Sequence, residues 1–145
     1  MKTAIVYYSK HHGNTKKLLD AIAAKHDVDL IDVTAVPDAD VSEYDRIGLA
    51  SGVYGGNLAK QLVAFAEAKL PEGKDVFYIY TSSITTESAL KTIRAIATGK
   101  GNGELGAYHS KGYDTFGPFK LVGGVGKGHP TDEEIRGAVE FYEGL

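Results

Sequence analysis

Two kinds of apolar segment alternate along this chain, and that alternation limits the fold to a small set. Ala4-Ile5-Val6-Tyr7-Tyr8 is a continuous β-prone run, the pattern of a strand buried on both faces. Leu18, Leu19, Ile22 and Ala23 recur at helical spacing and predict a helix over 14–25. Val28-Asp29-Leu30-Ile31-Asp32-Val33 reads as a second strand, followed by a polar loop with Pro37. Arg46-Ile47-Gly48-Leu49-Ala50 reads as a third strand, and Leu58, Leu62, Phe65 and Ala66 fall on one face of a second helix. Asp75-Val76-Phe77-Tyr78-Ile79-Tyr80 is the clearest strand. Leu90, Ile93 and Ile96 mark a third helix, ended by Gly99 and Gly101. Residues 105–109 form a weaker fifth strand, and a long glycine-rich loop runs on from Lys111. Thr131-Asp132-Glu133-Glu134, after Pro130, is a capping-box signature that opens a last helix through Ile135, Val139 and Tyr142. Strand and helix in alternation argue for an α/β domain, a parallel sheet with helices on both faces. Such sheets take ligands outside the carboxyl ends of their strands, at a topological switch point. The loops after strands one, three, four and five are therefore the places where a site is expected.

Composition narrows the function. A length of 145 residues is one domain, 1–145, and 43% apolar residues are enough to bury a core. The chain has no cysteine, which excludes disulfides, thiolate catalysis, Cys-ligated zinc and iron–sulfur clusters. With 16 Lys and Arg against 19 Asp and Glu the net charge is −3, whereas a general nucleic-acid binder would be basic. The N-terminal apolar run is far shorter than a signal peptide or membrane span needs. The chain is expected to be cytoplasmic and complete from its first strand, with neither nucleic acid nor membrane as partner. Its histidines form no metal site: only His11 and His12 are close in sequence, with no i,i+4 pair or carboxylate constellation.

The loop after strand one, Ser9-Lys10-His11-His12-Gly13-Asn14-Thr15, runs directly into a helix. Outward N–H groups and the helix dipole make such a terminus an anion site. Ser9 and Thr15 add hydroxyl donors, and Gly13 lets the backbone wrap closely. An ordinary N-capping loop with no ligand is the alternative. A nucleotide-triphosphate loop is excluded, because its second glycine and its lysine are missing. A phosphorelay receiver is excluded too, since Tyr8-Ser9 and Ser51-Gly52 stand where acidic residues would be needed. Gly101-Asn102-Gly103-Glu104-Leu105-Gly106 fits G-x-G-x-x-G, but it follows a helix and leads into a strand, the reverse of the dinucleotide fingerprint.

Here a resemblance enters. The first strand, the Ser9…Gly13-Asn14-Thr15 loop and the helix after it resemble the phosphate loop of the flavodoxins. That resemblance implies a flavodoxin-like, doubly wound, five-stranded parallel sheet of order 2-1-3-4-5. It also implies FMN as cofactor, its 5′-phosphate held by the segment Ser9, Lys10, His11, His12, Gly13, Asn14 and Thr15 without a required cation, with His11 and His12 either supplying N–H donors or facing solvent. One departure is plain: three residues separate Ser9 from Gly13 where the family commonly has two. Ser51-Gly52-Val53-Tyr54-Gly55-Gly56-Asn57 is similar to the loop that packs one face of the isoalloxazine. Gly52 and Val53 would then lead into Tyr54 against the ring, with Gly55-Gly56 passing flavin N5. Reduction protonates N5 and creates a donor, and a peptide carbonyl flipped toward it supplies the acceptor. Both turn types of that flip need φ > 0 at one residue or the other, which glycine permits. A plain tight turn is the alternative. Thr81, Ser82 and Ser83 resemble the segment that contacts the ring edge through backbone groups. That segment often supplies a second aromatic, but this chain has Ile84 there and no tryptophan. Tyr113 or Phe116, in the loop after strand five, would substitute, or else they pack as a local cluster.

The function so implied is a one-electron carrier rather than a self-standing enzyme. It would be a monomer that docks transiently with redox partner proteins, a donor reductase and an acceptor enzyme. An NAD(P)H-dependent quinone or FMN reductase on the same fold is the alternative, although no insertion is present to build a nicotinamide site. A third reading is a flavin-free module whose anion loop binds another phosphate or nothing.

Overall fold

The computed structural model describes residues 1–9, 13–82, 87–110 and 130–145. Strand β1 (Thr3–Tyr8) leads to helix α1 (Asn14–Lys25), β2 (Val28–Asp32) and β3 (Arg46–Tyr54). A two-residue strand β4 (Asn57–Leu58) precedes α2 (Lys60–Lys69) and β5 (Asp75–Thr81). A short 3-10 turn, Glu87–Leu90, opens into α3 (Lys91–Gly99), followed by β6 (Gly103–Ser110) and α4 (Asp132–Glu143). The five long strands are parallel and ordered β2-β1-β3-β5-β6, which in chain order of those five is the expected 2-1-3-4-5.

Each central strand is buried on both faces, so its alternate side chains feed two separate cores. Val6, Leu49, Val76 and Tyr78 pack beneath α2 and α3, against Leu62, Phe65 and Ile93. Ile5, Phe77 and Ile79 pack beneath α1 and α4, against Leu18, Leu19, Ile22 and Val139. Burying one such side chain stabilises by roughly 1.5–3 kcal/mol, so these two layers are what hold the helices to the sheet. Gly48 is a packing position within them: a Cβ there would stand 2.5 Å from Phe77 Cζ and 3.0 Å from Ile5 Cγ1.

The helix signals read from the sequence are met closely. α1 spans the predicted 14–25. Thr131 caps α4 reciprocally: its Oγ1 accepts from Glu134 N–H at 3.1 Å, and Glu134 Oε1 accepts from Thr131 N–H at 3.1 Å. Two expectations are corrected. The third strand does not stop at Ala50 but continues to Tyr54, because β5 pairs with it as far as Gly52 opposite Thr81. Leu58 lies in β4 and not on the second helix, which begins at Lys60. The cause is the Gly55-Gly56 turn, which folds the chain back so that Tyr54 pairs with Asn57 and Val53 with Leu58. The glycine-rich loop from Lys111 lies outside the described residues. Among the described residues no helix is long and apolar enough to cross a membrane.

Candidate functional site

Sheet order decides which sequence-predicted residues meet. β1, β3 and β5 are neighbours, with Tyr8 opposite Ser51 and Gly52 opposite Thr81. Their carboxyl ends therefore bring Ser9, Gly13–Thr15, the Gly52–Gly56 turn and Thr81–Ser82 to one edge.

At the start of α1, Gly13 takes the left-handed conformation (φ 61°, ψ 32°), which places the first N–H groups of the helix at the strand end. Lys16 N–H reaches Ser9 Oγ at 3.4 Å, and the first helical bond runs from Lys17 N–H to Gly13 O at 3.1 Å. No acid stands in this first turn, whereas the first turn of α4 carries Asp132, Glu133 and Glu134. An anion is thus favoured by the dipole and meets no side-chain repulsion in that turn. Asn14 and Thr15 are buried below it, and Thr15 Oγ1 lies 2.9 Å from Thr81 Oγ1. Lys16 Nζ is engaged along its own helix with Asp20, at 2.6 Å.

Beside this terminus stands an aromatic wall. Tyr8 and Tyr54 meet edge to face, with ring centroids 5.6 Å apart, and Tyr54 is 38% exposed. The Tyr54 ring folds over Gly52, where a Cβ would lie 3.1 Å from the phenolic oxygen. A groove of about 550 Å³ runs from these rings along α2, with Tyr8, Tyr54, Lys60, Gln61, Glu67 and Thr92 in its lining. The turn at its rim has φ 59° at Gly55 and φ 83° at Gly56, the signs of a two-residue type I′ hairpin. Flipping its central peptide gives type II′, which needs φ > 0 only at the first residue. Gly55 therefore serves both turn forms and Gly56 only one.

Two residues at this edge escaped the sequence reading. Ser51, fully buried, accepts from Ala59 N–H at 3.0 Å and donates to Gly52 O, tying the turn to the start of α2. The available signal was a small hydroxyl residue directly after the apolar run Ile47-Gly48-Leu49-Ala50. His109 Nε2 lies 3.1 Å from Ser82 O, and Ser82 N–H donates to Ser110 O at 3.0 Å, so β6 fixes where the segment after β5 begins. Lys10, His11, His12, Ser83, Tyr113 and Phe116 lie outside the described residues.

Residues 5–105 match the family model of the flavodoxin domain. The chain belongs to the flavodoxin family. An uncharacterized protein of Methanocaldococcus jannaschii is 34% identical over 147 residues, covering 100% of this chain and 98% of its own. Oxidised Flavodoxin 2 from Bacillus cereus shares the fold at 18% identity and a TM-score of 0.68, over 99% of both chains. A NADPH-quinone reductase from P. pentosaceus does so at 14% identity and a TM-score of 0.68, over 99% of this chain and 96% of its own. Membership of the flavodoxin family implies a flavin cofactor. The residues fit one, since an acid-free helix start is linked through Thr15, Thr81 and Gly52 to an exposed tyrosine ring and a two-glycine turn.

Proposed function

We propose that this flavodoxin-family protein is an FMN-bearing electron carrier, a cytoplasmic monomer that passes single electrons between a docked donor reductase and a docked acceptor enzyme. The observation that carries the reading is the link from an anion-favouring helix start to an aromatic ring at the carboxyl ends of neighbouring strands: Thr15 meets Thr81, Thr81 pairs with Gly52, and the Tyr54 ring lies over Gly52. Ser9, Gly13, Asn14 and Thr15 hold the phosphate through hydroxyls and N–H groups. Tyr54 swings off Gly52 to cover one face of the ring. The peptide between Gly55 and Gly56 turns its carbonyl to meet a proton at N5, and Thr81 and Ser82 border the ring edge. Bound FMN supplies the electron-accepting ring, and the protein sets its potential through hydrogen bonds, burial and charge. The shared fold with a NADPH-quinone reductase favours a second reading, direct two-electron transfer from a nicotinamide.

An anaerobic reductive titration of the protein with added FMN separates the two. The expected result is a changed flavin spectrum, quenched fluorescence and reduction in two resolved one-electron steps, with no oxidation of NADPH by the protein alone. Direct bleaching by NADPH would establish the reductase reading instead. An FMN spectrum unchanged on mixing would remove the cofactor from both.

A further inference from the structure

Thr15 and Thr81 are 66 residues apart in sequence and nearly buried, 2% and 6% exposed, with their hydroxyl oxygens 2.9 Å apart. Each hydroxyl carries one proton and can also accept. One bond between them uses one proton, and the accepting hydroxyl keeps its own for another partner. Thr15 is the second residue of α1, where the N–H groups of the first turn also point outward. An anion there needs donors. It selects the arrangement in which Thr81 donates to Thr15 and Thr15 donates outward. The reverse arrangement would aim Thr15 lone pairs at the anion.

We propose that Thr81 is a positioning residue for the cofactor phosphate: its hydroxyl donates to Thr15 Oγ1 and so turns the Thr15 proton toward the phosphate. This rests on the FMN reading above and gives the Thr81 hydroxyl a role of its own, apart from the ring-edge contact of its backbone. Thr81 is well placed for it. It is the last residue of β5, paired with Gly52 of β3 on one side and Ser110 of β6 on the other. Its backbone is therefore fixed from two directions, and its β-branched side chain has little χ1 freedom. The oxygen that meets Thr15 is held by the sheet, whereas Thr15 belongs to the helix that must receive the anion.

The test compares FMN with riboflavin, which lacks the phosphate, by fluorescence quenching of the apoprotein. Thr81→Val keeps the side-chain shape and removes the hydroxyl. It should weaken FMN by about fivefold to tenfold, the scale of one hydrogen bond, and leave riboflavin unchanged. Thr81→Ser should restore FMN affinity. The double variant Thr15→Val/Thr81→Val should bind FMN no more weakly than Thr15→Val alone, because Thr81 acts only through Thr15. Unchanged FMN affinity in Thr81→Val, equal weakening of FMN and riboflavin, or additive single effects would each overturn the proposal. If Thr81→Val does not fold, NMR of the wild-type complex decides, since the Thr15 hydroxyl proton should couple to phosphorus. A Thr15 proton directed at Thr81 overturns the proposal there too. Wild-type protein that binds no FMN would bring down the cofactor reading itself, an outcome distinct from all of these.

Discussion

Gly48 shows how one missing methyl group makes room for neighbouring strands in the core beneath α1 and α4. It sits in mid-strand, where glycine ordinarily costs about 0.5–1 kcal/mol relative to alanine. Gly48→Ala would recover that, yet place a Cβ 2.5 Å from the buried Phe77 ring. Overpacking of that kind costs about 1–3 kcal/mol, and the ring is hemmed in by Phe141 and Tyr142, with centroids 6.4 and 6.0 Å away. The clash outweighs the gain. Urea denaturation of Gly48→Ala should show a lower midpoint at unchanged m-value, and an equal or higher midpoint would mean that Phe77 moves freely. Nothing in the run Arg46-Ile47-Gly48-Leu49-Ala50 announces this contact, because its partner is on another strand.

At the scale of elements, each helix is finished by different means. α4 brings its own cap, and its signature was legible in four consecutive residues. α2 has its local stop in Lys69 and Pro71, and Lys100, thirty residues downstream of Leu70, closes it further. Lys100 Nζ donates to Ala66 O at 2.7 Å, Glu67 O at 2.8 Å and Leu70 O at 2.9 Å. An ammonium on the last carbonyls opposes the negative end of the dipole and also ties α2 to the end of α3. Lys100→Met keeps the stem and removes the three donors. A loss of about 1–2 kcal/mol is expected, since water replaces part of what is removed. Hydrogen exchange should quicken in the last turn of α2 more than in α1, and uniform quickening would show that the tie is not local.

Across the whole molecule, buried and half-buried tyrosines link stability to alkaline pH, Tyr44 and Tyr78 most strongly. The Tyr44 hydroxyl donates to Asp29 Oδ2 at 2.6 Å, and that bond, with burial, raises its pKa to about 12. Burial raises Tyr78 to about 12 as well. Both keep their protons in the folded state after the unfolded chain has begun to lose them near pH 10. Their contribution is thus complete below pH 10 and is lost as pH rises toward 12, by at most about 1.4 kcal/mol per pH unit per tyrosine. Stability measured against pH should fall over that window, and Tyr44→Phe should flatten the fall. A flat wild-type profile between pH 10 and 12 would contradict it.

Periodicity and turn chemistry alone set the kind and order of the long strands and helices, down to the 14–25 limits of α1 and the capping of α4. Those features follow from periodicity and turn chemistry within a few residues, where backbone geometry decides the outcome. The residues proposed to hold the phosphate, Ser9 and Gly13 to Thr15, were legible for the same reason: strand, glycine and helix start are contiguous. Register between distant segments set the rest. Strand β3 runs on to Tyr54 because β4 and β5 pair with it. The ring of Tyr54 rests on Gly52 and Tyr8 because the Gly55-Gly56 turn reverses the chain beside them. Thr81 meets Thr15 only because β5 ends beneath the start of α1. A hydroxyl's partner 66 residues away leaves no mark in local sequence, since only the order and register of the sheet choose it.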